Sequence, residues 1–380
     1  MNECQECYVL ETDEEGVYKC DTCGKVFCQG HREDHRKSAN HSTFTHIKSD
    51  DPFFFSEDDK FTTNSEQIYS PMVSGFANLG CTCYFNSCLH VLFSINELVN
   101  YFLSDECDQV NELGHQFHRF VTELNKGSRP KLQNSLLRNE VDRDNEKYLR
   151  SDPQDSIEFF DYLYSTIHQK LPDSNIDNLL EFSFSDTLQC KHCSQVFTEK
   201  VHNVRFLKVK PGLPFQSGRM SLNLLNMINN EFEKSPKVWN CPNCDHNEAK
   251  KNRKILNPPK YLIVLNRLDY GSREPDTRRK RDVQLEFDLN DLNISHHISC
   301  SLGDESEAHQ KLDENQGHYR LIAFMDHSGK WAKYGHDTCY VRNGESDQWY
   351  WFNDSAVSII DDIMENVVFG RQYLYLFKQK

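Results

Sequence analysis

An α+β fold is predicted by three observations. From Ser87 to about Lys170 apolar residues recur with helical spacing; beyond Phe182 short stretches alternate apolar and polar residues; and paired Cys-x-x-Cys spacings punctuate the strand-rich part. Composition divides the 380-residue chain into a cysteine- and histidine-rich module (1–48), an acidic linker (49–72) and a large domain (73–380).

The first module offers nine candidate metal ligands: Cys4, Cys7, Cys20, Cys23, Cys28, His31, His35, His41 and His46. So short a segment buries too little apolar surface to fold unaided, and zinc at tetrahedral Cys/His sites supplies the missing free energy. One to three ions fit, most simply two, and spacing does not fix the ligand pairing. The linker is Ser-rich and acidic, without helical or strand period, and carries the triplet Phe53-Phe54-Phe55.

The large domain opens on Gly75-Phe-Ala-Asn78-Leu-Gly80-Cys81-Thr82-Cys83. Cys83 ends a glycine-containing turn and starts a helix whose buried face is Tyr84, Phe85, Cys88, Leu89, Leu92 and Phe93. A thiol at a helix N-terminus meets unpaired N–H groups and the positive end of the dipole, which favours the nucleophilic thiolate. Asn78 is placed to offer an amide to a developing oxyanion. Near the other end, His336 is a candidate general base, with Asn353 or Asp354 to orient its ring.

Between these ends, Ser151-Asp-Pro153-Gln154-Asp155 starts a helix, with Asp155 and Glu158 suited to capping and to the helix dipole. Cys190, Cys193, Cys241 and Cys244 form two knuckles on hairpins, the spacing of a zinc ribbon over about 181–257; His192 and His246 read as bystanders. Pro258-Pro259 precede a buried strand, Tyr261–Leu265. The basic cluster Arg273, Arg278, Arg279, Lys280 and Arg281 reads as a solvated hairpin or a nuclear signal, and Asp304–Asn315 as a mobile loop.

The net charge of −15 argues against nucleic-acid binding and suits a basic partner surface. Fifteen cysteines, odd in number and mostly in close pairs, with no export signal, read as zinc ligands plus free thiols in the nucleus or cytoplasm. No apolar run approaches the roughly 20 residues of a membrane span.

The cysteine segment, Gly75–Ser87, and the segment holding Tyr319-x-Leu321-x-Ala323, His327-Ser-Gly329, Gly335-His336, Tyr340-Val-Arg342, Trp349-x-x-Phe352-Asn353-Asp354 and Tyr373–Phe377 resemble the two boxes of the ubiquitin-specific protease family. The resemblance runs from about Ser74 to the C-terminus. It implies a papain-like right hand with helical thumb, β-rich palm and zinc-ribbon fingers. It also implies a thiol-dependent deubiquitinase that cuts after the terminal glycine of ubiquitin. Cys83 is then the nucleophile, Asn78 and the Cys83 N–H the oxyanion donors, and His336 the base, with Asn353 orienting and Asp354 supporting. Asp155 and Glu158 meet the arginines of the ubiquitin tail, and no metal takes part in catalysis. Gly317-His318-Tyr319 spells the family's usual tripeptide, but His318 precedes the Tyr-x-Leu-x-Ala strand that the catalytic histidine follows, so His336 is chosen.

The run Cys20 to His31 resembles a UBP-type zinc finger. A short finger joined to a compact catalytic domain resembles the deubiquitinase of SAGA-type coactivator complexes, which implies docking of the finger to partner subunits and histone-linked ubiquitin as substrate. Cys81, His90 and Asp337 depart from the family pattern. Two other readings are a non-catalytic ubiquitin-binding scaffold and a peptidase for another ubiquitin-like tag.

Overall fold

The structure, a computed structural model, describes residues 73–380 apart from 128–130, 150–151, 172–175, 177–178, 211–219, 267–268, 271–278, 281–282, 300–314, 329–334, 345, 368 and 370–371. Of the N-terminal part it describes residues 17–20, 22, 26–27, 32, 36 and 42–47. There β1 (Val17–Cys20), β2 (Val26–Phe27) and β3 (Phe44–Ile47) form an antiparallel sheet in the order β2-β1-β3. Cys20 is buried at the end of β1. Cys4, Cys7, Cys23, Cys28, His31, His35, His41 and the linker lie outside the described residues.

The predicted helical region forms α1 (Cys83–Leu92), α2 (Asn96–Phe102), α3 (Asp105–Val110), α4 (Glu112–Asn125), α5 (Lys131–Asp142), α6 (Glu146–Leu149) and α7 (Ser156–Lys170). Side-chain caps set three of the starts: Ser104 accepts from the Cys107 N–H, Asn111 from Gly114, and Asp155 from Ile157 and Glu158. Every residue of α1 from Tyr84 to Leu92 is buried, because it packs on α7 and on the palm strands at once.

The chain continues through β4 (Phe182–Cys190), β5 (Val196–Val204), β6 (Phe206–Val209), β7 (Met220–Asn223), α8 (Leu224–Phe232), β8 (Ser235–Val238) and β9 (Glu248–Leu256). The fingers are the four-stranded antiparallel sheet β5-β4-β9-β8. The palm follows: β10 (Tyr261–Asn266), β11 (Asp269–Tyr270), β12 (Arg279–Lys280), β13 (Val283–Glu286), β14 (Leu292–Asn293), β15 (His318–Ser328), β16 (His336–Arg342), β17 (Trp349–Asn353), β18 (Ala356–Ile360), α9 (Ile363–Asn366) and β19 (Gln372–Gln379). Its eight-stranded sheet runs β18-β17-β16-β15-β19-β10-β6, with β14 joined to β15. Of the basic cluster, Arg279 and Lys280 form one arm of the β11–β12 hairpin. Most of the loop expected over Asp304–Asn315 lies outside the described residues.

The sheet separates two apolar cores. In β10, Tyr261, Ile263 and Leu265 face the thumb, while Leu262 and Val264 face the core under α8. Burial on both faces explains why this strand reads as an unbroken apolar run. In β15 the alternation is broken: Tyr319 and Leu321 face α8's side, yet Ala323 and Met325 face the thumb. A bulge between Leu321 and Ala323 supplies the extra residue that flips the parity. It lets one strand serve both cores while its far end pairs with the strand carrying His336. No helix among the described residues is long and apolar enough to cross a membrane.

Candidate active site

The turn before α1 is held by Asn78. Its Oδ1 accepts from the Gly80 N–H at 3.0 Å, the Thr82 N–H at 3.1 Å and Thr82 Oγ1 at 3.2 Å. Gly80 and Cys81 both have positive φ, 97° and 52°. Glycine takes that conformation freely, whereas Cys81 does so at a cost of about 1 kcal/mol. The tight double turn delivers Cys83 as the first residue of α1.

Two elements of the palm meet it. His336 starts β16, and its Nε2 lies 2.6 Å from Asn353 Oδ1 and 3.9 Å from Asp354 Oδ2. Since an amide oxygen only accepts, Nε2 carries the ring proton and Nδ1 keeps its lone pair. Nδ1 is buried, with no hydrogen-bond partner among the described residues. The main-chain N–H of Asp337, the next residue, donates to the Cys83 sulfur, which sets the thiol against the strand that His336 begins. Gly335 is required just before them: a Cβ there would lie 2.0 Å from Ser328 O and 2.4 Å from the His327 ring.

Asp354, in a left-handed turn at φ 47°, ties the corner together. Its carboxylate accepts from Asn86 Nδ2 at 2.7 Å and Asn78 Nδ2 at 3.0 Å, and its main-chain oxygen from the Phe76 N–H at 2.8 Å. Asn134 extends the network to Asn86 Oδ1 at 3.2 Å. Gly75 passes so close that a Cβ would lie 2.5 Å from the Asp354 carbonyl oxygen. The sequence reading does not single out Asn86 or Asn134. For Asn86 a polar residue in an otherwise apolar helix was the available signal, whereas Asn134 sits in a largely polar helix and left none.

The electrostatics correct one expectation. Burial, first, and then the charges of Asp337 and Asp354 push the Cys83 thiol well up, against the lowering effect of the Asp337 N–H. Cys83 retains some exposed surface, but its sulfur is enclosed by protein. A helix N-terminus alone would favour thiolate; here desolvation and two acids outweigh it. Burial also raises Asp354, although His336, Asn86 and Asn78 work in the opposite direction.

The other candidates fall as follows. Asp155 spends Oδ1 on the α7 cap, at 2.9 Å from the Ile157 N–H and 3.1 Å from that of Glu158. Glu158 is exposed and pairs with Lys147 at 2.6 Å. His318 is bound to Asp291 at 2.9 Å. It sits about 30 Å along β15 from Ser328, the residue opposite His336. His327 is buried opposite Asp337. His90 is stacked between Phe76 and Phe352 at 4.0 and 3.9 Å, and burial lowers it to about 3, so it is neutral. A cleft of about 660 Å³, which the sequence did not reveal, opens between α7 and the fingers, lined by Asp161, Glu181, His202, Arg205 and Arg253.

At the fingertips Cys190, Cys193, Cys241 and Cys244 bring their sulfurs within 4.8 Å of one another. The Cys190–Cys244 and Cys193–Cys241 separations are both 3.6 Å. That matches the edge of about 3.7 Å expected for four sulfurs at roughly 2.3 Å from one zinc. The knuckles repeat one backbone pattern: Ser194 N to Cys190 O at 3.1 Å, and Asp245 N to Cys241 O at 2.9 Å, with φ of 62° and 54° at Ser194 and Asp245. Main-chain N–H groups pull down the Cys190 thiol and take that of Cys193 to about 6. The four residues fit a zinc ion. His192 and His246 stack on each other at 4.9 Å outside this set.

A helical thumb and a β palm meeting at a cysteine–histidine corner define a cysteine hydrolase. The chain belongs to the ubiquitin carboxyl-terminal hydrolase family, whose model matches residues 74–377, and it is a deubiquitinase of the ubiquitin-specific protease type. Ubiquitin carboxyl-terminal hydrolase 14 of Caenorhabditis elegans is 25% identical over 350 residues, covering 78% of this chain and 70% of that protein. Human ubiquitin carboxyl-terminal hydrolase 15 is 30% identical over 146 residues, 37% of this chain and 13% of that much longer protein. Among solved structures, a SAGA DUB module Ubp8/Sgf11/Sus1/Sgf73 bound to monoubiquitin matches with a TM-score of 0.68 at 18% identity, covering 100% of this chain and 90% of that one. The same module bound to ubiquitin aldehyde gives 0.65 at 19%, with the same coverage. These two likenesses establish the right-hand fold.

Proposed function

We propose that the chain hydrolyses the isopeptide bond after the C-terminal glycine of ubiquitin, with Cys83 as nucleophile. The observation that carries this reading is the meeting of Cys83, His336 and Asn353 at one thumb–palm corner from opposite ends of the domain. His336 Nδ1 takes the thiol proton, and the sulfur attacks the glycine carbonyl carbon. The Cys83 N–H and the Asn78 amide proton not spent on Asp354 receive the oxyanion. The imidazolium then protonates the departing lysine amine, and a water deprotonated by His336 cleaves the thioester. Asn353 fixes the tautomer and Asp354 supports the corner. Asp155 and Glu158 stand at the N-terminus of α7 to meet the arginines of the tail.

Zinc is structural in this reading: one ion at Cys190, Cys193, Cys241 and Cys244, and one to three in the N-terminal module. That module docks to subunits of a coactivator complex in the nucleus, and ubiquitinated histone is the substrate. Likeness to a chain of the SAGA DUB module supports this finer reading.

The test is reaction with ubiquitin bearing a C-terminal thiol-reactive warhead. An adduct retained by Cys81→Ala and lost in Cys83→Ala is expected. A chain that binds ubiquitin without forming an adduct, alone or with its partners, is a scaffold; an adduct formed only with another tag reassigns the substrate. Weak activity alone that rises on adding the coactivator subunits is the expected sign of docking, and full activity of the isolated chain would overturn it.

A further inference from the structure

Beside the thiol lies a buried acid that the proposed reaction does not use. Asp337 follows His336 in β16, and its side chain is enclosed. Its Oδ1 accepts from Ser156 Oγ at 3.1 Å and, through a short contact, from the Tyr373 hydroxyl. Ser156 and Tyr373 also contact each other. Ser156 is the first residue of α7, Tyr373 lies in β19, and Cys88 of α1 donates its S–H to Ser156 O at 3.3 Å. Thumb helices and palm strands therefore converge on one carboxylate, whose own main-chain N–H donates to the Cys83 sulfur.

We propose that Asp337 is a positioning residue for Cys83: its carboxylate, pinned by Ser156 and Tyr373, holds its N–H on the sulfur and sets a negative charge beside the thiol. The pin and the charge have separable effects. The pin fixes where the sulfur sits, through the main chain. The charge opposes loss of the thiol proton.

Among the described residues, ionisable groups face Asp337 from each element packed against it. From α1 and its turn they are Cys83, Cys88 and Cys81; from α7, Asp155; from β19, Tyr373. From its own strand they are His336 and Cys339, from β15 His327, and from the turn after β17 Asp354. Among the described residues Asp354 is the other carboxylate seen to raise Cys83, and Asp337 raises it more, so removing the Asp337 charge should move the thiol measurably.

This inference rests on Cys83 being the nucleophile, but its first test reads the thiol itself and needs no ubiquitin. The rate of Cys83 alkylation by iodoacetamide is followed against pH in the full chain, with labelling located by peptide mass spectrometry. Asp337→Asn keeps an oxygen for both hydroxyls and removes the charge; its profile should move to lower pH by about half a unit to one unit. Tyr373→Phe keeps the charge and removes one pin; it should leave the profile in place but lower kcat on a ubiquitin C-terminal amide about tenfold, with KM nearly unchanged. A folded Asp337→Asn whose profile overlays that of the unmodified protein overturns the role of the charge. A folded Tyr373→Phe with unaltered kcat overturns the pin. Melting temperatures of both variants separate these results from loss of structure, and an active-site failure on ubiquitin would leave the alkylation shift intact.

Discussion

The fingers and the thumb–palm corner use the same residue types, cysteine and aspartate, in opposite electrical settings. In the fingers Asp186 is buried, yet Arg253 grips it at 2.6 and 2.8 Å and Lys251 reaches it at 2.8 Å. Burial works against ionisation there, but these partners hold the carboxyl well below its usual range. Main-chain donors likewise draw down Cys190 and Cys193, while the neighbouring sulfurs push Cys244 up. In the thumb and its corner the partners do not outweigh burial. Burial raises Asp142 to about 6 despite Arg138 at 3.4 Å, and it raises Asp354 and Cys83 as well. Where the protein builds a scaffold it neutralises buried charge, and where a proton has to move it leaves charge in tension.

The largest expected effect breaks the fingers. Stripping zinc, or making Cys241→Ser, should remove most of a binding free energy of about 10 kcal/mol that stabilises the four-stranded sheet. Metal analysis of Cys241→Ser should show one ion fewer per chain, and hydrogen exchange should rise in β4 and β9 while α1 and α7 stay protected. At the corner, His336→Ala should lower kcat about a thousandfold, and Asn353→Ala by a smaller factor of about ten to a hundred. Steady-state hydrolysis of a ubiquitin amide measures both, and equal losses would mean that Asn353 does more than orient the ring.

Asp186→Ala leaves Arg253 and Lys251 facing each other without their acid, at an expected cost of about 3 kcal/mol by urea unfolding. A cost under about 1 kcal/mol would show that the partners find water easily. The smallest effect belongs to Asp142. Its folded pKa lies above the unfolded one, so the folded state holds the proton more tightly. The resulting stabilisation is complete below about pH 4 and lost as pH rises through about 6, amounting to about 2–3 kcal/mol. Asp142→Asn should flatten that slope in unfolding curves taken between pH 4 and 7.

Much of this contrast could be read from the chain, and the reasons are local. The two knuckles show themselves because a Cys-x-x-Cys turn is closed by its own backbone. The cysteine segment does so because turn, nucleophile and helix are contiguous. His336 could be separated from His318 by its order relative to the Tyr-x-Leu-x-Ala strand, and the structure puts the two histidines far apart on one sheet. What stayed hidden depends on contacts between distant residues. The Asn78 amide is drawn to Asp354, 276 positions away, and Asp337 to Ser156, 181 away. The raised thiol follows from its burial between thumb and palm and from the two acids brought there, which no helix-end rule contains. The bulge in β15 also left no mark, because a parity flip inside an apolar strand keeps it apolar.

The strand order of the palm bears on how the molecule is made. β19, which follows every other palm strand in sequence, lies between β15 and β10 in the middle of the sheet. Until it has left the ribosome, β6 and β10 have no edge to join to the strands that carry His336 and Asn353. A nascent chain thus carries its thiol long before it owns a finished palm, and α1 lacks the surface that buries it. Ribosome-held chains stopped before Gln372 should therefore be cut readily by protease within α1, whereas chains extended past Gln379 should resist.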